Sequence, residues 1–194
     1  MSRLRRIADR DRVFFITTNL LKDRSPLTPS ERDLLLSLLG DVRTCSPFIL
    51  LGYVVMPTHT HLLLAVQSIP ISHVMHQWKF KTGHRIQQLR GTQGSFWQPR
   101  YFDFICRHAR DVSNKLDYIH QNPVQAGFVR QPDEWPWSSA AFYSKSSSRQ
   151  SSAPTSPSSS PSSTPPQSLP LIPDQMDFSG DPDELLWPAP RRPL

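Results

Sequence analysis

The chain has 194 residues, with 22 Lys and Arg against 16 Asp and Glu and a formal net charge of +6. Cys45 and Cys106 are its two cysteines, too few for a disulfide framework or a thiolate zinc cluster, and no apolar run reaches the roughly 18 residues needed to span a bilayer. The basic start MSRLRRIADRDR lacks the apolar run of a signal peptide, so a cytoplasmic protein with no membrane partner is expected.

Charge and composition divide the chain near residue 144. Residues 1–143 hold 18 Lys and Arg against 11 Asp and Glu, a surplus of +7, whereas residues 144–194 hold 4 against 5, or −1. The basicity therefore lies in the part able to fold. Such a surplus suits a solubilising surface or a polyanionic partner, whose condensed counterions Lys and Arg would release.

In chain order, VFFITT at 13–18 is β-branched and aromatic and reads as a buried strand. A helix follows with Thr28 as N-cap, Pro29 at its first position, Glu31 completing a capping box, an apolar face of Leu34, Leu35, Leu38 and Leu39, and Gly40 as its stop. Residues 48–56 and 59–66 are apolar runs separated by Pro57 and Thr58, the pattern of an antiparallel hairpin. Residues 72–90 carry Val74, Trp78, Ile86 and Leu89 at helical spacing, 91–94 form a loop, 100–106 a fourth strand, and 109–122 a helix ended by Pro123. The order β-α-β-β-α-β-α predicts an α+β protein of ferredoxin-like, split βαβ type, one antiparallel sheet with helices packed on it. Beyond it, 18 of the 25 residues from 144 to 168 are Ser or Pro, a composition that buries too little apolar surface to offset its ordering entropy. A folded domain over 1–143 and a disordered tail over 144–194 are expected, with Phe178, Leu185, Leu186 and Trp187 able to dock as a short peptide.

Chemistry concentrates in two places. In MPTHTHLLL, His59 and His61 lie two apart in a strand and leave the same sheet face side by side, a geometry fit for two metal ligands; Thr60 faces the other way. An HxH pair alone is more often a polar strand end. In the helix ending in KLDYIHQNP the stripe Val112, Leu116 and Ile119 differs from the face shared by Tyr118 and Asn122, four apart. Tyr118 falls about 140° from the centre of the apolar stripe, so this helix should sit at an edge or lean partly on another helix. Asn122, at the negative end of the helix dipole, suits a third ligand. Such a site leaves positions open for a phosphate oxygen, polarised by a Lewis acid, and a tyrosine hydroxyl beside it can attack to give a phosphotyrosine. Lys115 and His120 are candidates to assist that hydroxyl. Lys79, Lys81, Arg85, Arg90, Arg100, Arg107 and Lys115 are candidate phosphate contacts; Trp97 and Tyr101 could stack on unpaired bases or pack the loop onto the sheet. Trp135 and Trp137 read as core edge.

MPTHTHLLL, FWQPRYFD, LDYIHQNPVQAGFV and EWPWSS, in that order across residues 13–143, closely resemble the REP-associated tyrosine transposases, within the single-tyrosine HUH transposases. The resemblance implies the ferredoxin-like fold, paired metal-holding histidines at His59 and His61, a nucleophile at Tyr118 and a completing polar ligand at Asn122. It further implies cleavage and rejoining of single-stranded DNA at palindromic hairpins through a 5′-phosphotyrosine, with Mg or Mn and no nucleotide cofactor. Thr60 departs from the hydrophobic residue that the HUH name specifies, and the Ser/Pro tail lies outside the family core. Monomer and homodimer both fit. The competing expectation is a non-catalytic, ferredoxin-like nucleic-acid-binding module, whose binding would survive His59→Ala and removal of divalent ions.

Overall fold

The computed structural model describes residues 12–149 and 171–174. Its elements are β1 (Arg12–Asn19), α1 (Pro29–Cys45), β2 (Ile49–Val55), β3 (His59–Val66), α2 (Ile71–Arg90), β4 (Phe102–Cys106), α3 (Ala109–Gln125), a 3-10 turn at Pro132–Glu134 and α4 (Ala140–Arg149). The sheet order is β2-β3-β1-β4 with every neighbouring pair antiparallel. Strand β3 thus inserts between β1 and β2, which is the split βαβ arrangement expected from the element order.

Because side chains alternate along a strand, the sheet has two buried faces. Phe14, Ile16, Leu62 and Leu64 pack with Leu35, Leu39 and Val42 of α1 and Val74 and Trp78 of α2. Val13, Phe15, Leu51 and Leu63 pack with Val112 and Ile119 of α3 and with Trp135. Gly52 makes the second layer possible: a Cβ there would lie 2.5 Å from Leu116 Cδ1 of α3. Among the described residues no helix is long and apolar enough to cross a membrane.

Helix α1 opens with the expected capping box, Glu31 N donating to Thr28 Oγ1 (3.3 Å) and Thr28 N to Glu31 Oε2 (2.8 Å). It does not stop at Gly40 but continues to Cys45. Glycine inside a helix costs about 1 kcal/mol, less than the roughly 1.5–3 kcal/mol from burying Val42, which has no exposed surface. Helix α3 likewise passes the expected end at residue 122 and carries Pro123 inside its last turn. Proline there removes only the bond to the Ile119 carbonyl, while Ala126 N still donates to Asn122 O (3.0 Å) and Phe128 N to Pro123 O (3.0 Å). Leu89, expected on the apolar stripe of α2, is 61% exposed.

Past the compositional boundary at 143, α4 extends through Arg149 and residues 171–174 lie against β2. Tyr53 Oη donates to Leu171 O (2.9 Å), Leu50 N to Asp174 Oδ2 (2.8 Å) and Asp174 N to Leu50 O (2.6 Å), and Arg43 pairs with the Asp174 carboxylate. Farther along β2, Ser139 N donates to Tyr53 O (3.0 Å) and Val55 N to Trp137 O (2.8 Å). The rest of the Ser/Pro run and the expected peptide of Phe178, Leu185, Leu186 and Trp187 lie outside the described residues.

Candidate active site

His59 and His61 emerge from the first turn of the pleat in β3, on the face that carries α3, with ring centroids 4.8 Å apart. Thr60 is fully buried on the opposite face. Antiparallel pairing sets Thr17 of β1 directly across from His61, and its hydroxyl lies 2.9 Å from His61 Nδ1. His59 Nδ1 meets the Thr58 hydroxyl at 3.3 Å. Each imidazole thus has its Nδ1 engaged by a threonine, which leaves Nε2 to face the site. Phe15 stacks on His61 at 5.3 Å.

Burial pushes the His61 imidazolium down to about 3, helped by the His59 and Lys115 charges. Burial also lowers His59, partly opposed by its hydrogen bond to Asn122. Both rings are therefore neutral at pH 7 with lone pairs available.

Helix α3 lies over the sheet with the 3-10 turn beside it, and presents Lys115, Tyr118 and Asn122 on one stripe, as i, i+3, i+7 spacing requires. Tyr118 remains 43% exposed while its ring meets His61 edge-on at 5.3 Å and Phe15 at 5.8 Å. The apolar stripe fills the sheet core, and Tyr118 hangs over its rim beside the histidines. Asn122 Nδ2 sits 3.4 Å from His61 Nε2, so its amide touches both imidazoles. Turning that amide over would present Oδ1 to the same point, giving two neutral nitrogens and one oxygen, a donor set that fits a divalent cation with open positions. Lys115 Nζ is held 4.8 Å over Phe15 and 4.9 Å over Phe104, one turn from Tyr118, where it contributes positive charge to the site.

The other expected contacts separate clearly. Arg90 is the last residue of α2 and is committed to the fold: it grips Glu31 (2.5 and 2.6 Å) and donates to Ser25 O and Pro26 O (2.9 Å each). Burial alone would raise the Glu31 pKa, but Arg90 and Thr28 hold it below its usual value. Trp97 is 4% exposed and donates to Thr82 Oγ1 (2.9 Å), so it packs the loop and offers no face to a base. Lys79 Nζ donates to Gln98 O (2.6 Å) and Pro99 O (3.2 Å) beside the half-buried Tyr101. Arg85, Arg100 and Arg107 are exposed and Lys81 is partly so. His120 turns away from Tyr118 to Ser139 Oγ (2.9 Å), and burial lowers it to about 4. Trp135 is buried, its Nε1 donating to Val55 O (3.1 Å).

Sequence reading missed Thr17, Phe15 and Phe104. The signal for Thr17 and Phe15 was the β1/β3 register, which sets Thr17 across from His61 and Phe15 two residues before it on the same face.

A REP-associated tyrosine transposase of Escherichia coli is 29% identical over 139 residues, covering 72% of this chain and 82% of that protein. A solved REP-associated tyrosine transposase bound to a REP hairpin matches with a TM-score of 0.65 and 28% identity, over 77% of this chain and 87% of that one. The family model described as Transposase IS200 like matches residues 17–122. That match begins at the threonine behind His61, ends at the asparagine in front of it, and spans more than half of the sequence, and the chain therefore belongs to the IS200-like transposase family.

Proposed function

We propose that this transposase nicks and rejoins single-stranded DNA at palindromic hairpins, using Tyr118 as nucleophile. The observation that carries the reading is the meeting of Tyr118 and Asn122 on α3 with His59 and His61 on β3. His59, His61 and Asn122 would hold Mg or Mn, which when bound supplies Lewis-acid polarisation of the scissile phosphate.

The Tyr118 oxygen attacks phosphorus, the bond from phosphorus to the 3′ oxygen breaks, and the proton lost from the phenol is balanced by one gained on the leaving 3′ hydroxyl. Attack by a second 3′ hydroxyl on the 5′-phosphotyrosine reverses these roles and frees Tyr118, so no nucleotide energy source is needed. Lys115 lies one turn from Tyr118, where its positive charge favours the phosphate and the phenolate left when Tyr118 loses its proton. The fixed Nδ1 partners Thr17 and Thr58 keep both imidazoles aimed while DNA enters and leaves. Residues 1–143 carry the chemistry, with 144–194 an appended tail. The hairpin substrate is supported by the relative solved with one.

The test mixes the protein with labelled single-stranded hairpins from DNA flanking its own gene and Mn²⁺, and looks for a denaturant-stable protein-DNA adduct. An adduct that disappears in Tyr118→Phe is expected. Absence of adduct on every hairpin, or an undiminished adduct in that variant, overturns the proposal; binding that persists in His59→Ala without metal, with no adduct, points to a binding module.

A further inference from the structure

Helix α2 carries a feature that the catalytic site does not use. His76, Phe80 and His84 recur every fourth residue and are all exposed, Phe80 to 67%. Their rings run parallel, within 5° for His76 and Phe80 at 6.4 Å and within 3° for Phe80 and His84 at 6.1 Å. Beside this ladder opens a cavity of about 530 Å³, walled by His76, Lys79, Phe80 and Gly83 of α2 and by Trp97 and Tyr101 of the following loop. The loop packs directly on the helix at Gly83, where a Cβ would be in ordinary van der Waals contact with Phe96 at 3.4 Å.

We propose that this groove is a second DNA contact, in which unpaired bases of the substrate strand stack on the His76, Phe80 and His84 ladder. The choice of DNA rests on the strand-transfer reading above, but three observations favour it independently of the chemistry. Parallel rings one helical turn apart offer π-faces to successive bases, and stacking of this kind tolerates any sequence. The charge fits a polyanion: residues 42–102 contain no Asp or Glu, and Lys81 and Arg85 stand next to the ladder to meet phosphates. An apolar protein segment would gain nothing from those cations. The loop that walls the groove also bonds to the end of the sheet that carries the histidines. Gln98 N donates to Asn19 O (2.9 Å) and Gln98 Nε2 to Leu20 O (3.2 Å), while Asn19 is the cross-strand partner of His59. A strand leaving the groove would have to turn around that end of the sheet to reach the histidines.

The test uses full-length Tyr118→Phe protein, so that binding is read without cleavage, and two probes: a bare hairpin and the same hairpin with single-stranded flanks containing 2-aminopurine. Adding Phe80→Ala is expected to weaken the flanked probe about tenfold, to relieve 2-aminopurine quenching, and to leave the bare hairpin and the salt dependence unchanged; Phe80→Trp should restore binding. Equal affinity for both probes with and without Phe80, equal loss on both, or self-association that Phe80→Ala abolishes, overturns the platform. Wild-type protein that forms the covalent adduct while Phe80→Ala changes nothing removes only this inference. Flank-dependent loss without any adduct removes only the chemistry.

Discussion

Acid should destabilise the metal-free protein over an unusually mild range, because its fold holds buried histidines neutral, His61 and His120 most strongly. Burial lowers His61 from 6.5 to about 3 and His120 to about 4. The folded values lie below the unfolded ones, so above about pH 6.5 neither state binds the proton and full stability is present. As pH falls from 6.5 toward 4 for His120, and toward 3 for His61, the unfolded chain takes up the proton first and stability is lost. At about 1.4 kcal/mol per tenfold, His120 accounts for about 3 kcal/mol by pH 4, and the two residues together give a slope approaching about 2.7 kcal/mol per pH unit between pH 6 and 5. That is a large share of the roughly 5–15 kcal/mol typical of a domain. Carboxylates remain ionised through most of this window, which isolates the histidine contribution. The assay is urea unfolding from pH 7.5 to 5 in chelator, comparing the parent with His120→Gln and His61→Gln. Each substitution should lower the slope, by up to about 1.4 kcal/mol per pH unit; an unchanged slope in either variant would refute the assignment of that histidine as buried and neutral.

Two further outcomes follow from the site's supports. Thr17→Val removes the hydroxyl at His61 Nδ1 without changing side-chain shape, and should weaken Mn²⁺ binding by about ten- to a hundredfold in calorimetric titration while the melting temperature moves little; unchanged metal affinity would show that Thr17 does not orient the ring. Gly52→Val forces a Cβ against Leu116 and should cost about 1–3 kcal/mol by overpacking. It should also reduce adduct formation more than DNA binding, because α3 carries Tyr118; equal effects on both would contradict that coupling.

Local rules read well wherever the determining residues are neighbours in sequence. Thr28, Pro29 and Glu31 specify a helix start among themselves, and the β-branched and apolar runs at 13–18 and 59–66 need only a sheet to join. The pair His59 and His61, and the pair Tyr118 and Asn122, were each visible as shared faces, although nothing local says that the two faces meet. What local reading missed depends on distant partners. Gly40 looks like a stop until Val42 is given a core to enter, and Pro123 looks like an end until the carbonyls after it find donors. Arg90 and Trp97 resembled nucleic-acid contacts because their partners, Glu31 and Thr82, lie 59 and 15 residues away. Thr17 carried no signal of its own. Its role appears only when the β1/β3 register is known.

The outer edge of β2 has a consequence for assembly. Its hydrogen-bonding groups are already taken by the segment 137–139 at one end and by Asp174 at the other, so no second chain can add a strand there while those bonds hold. Among the described residues no strand lies outside β4, whose side chains Phe102 and Phe104 are 59% and 38% exposed. Two covered faces and one sealed edge leave a single direction in which this sheet can grow, so the pieces clipped onto β2 from the far end of the chain also dictate which side of the molecule a neighbouring sheet would have to approach.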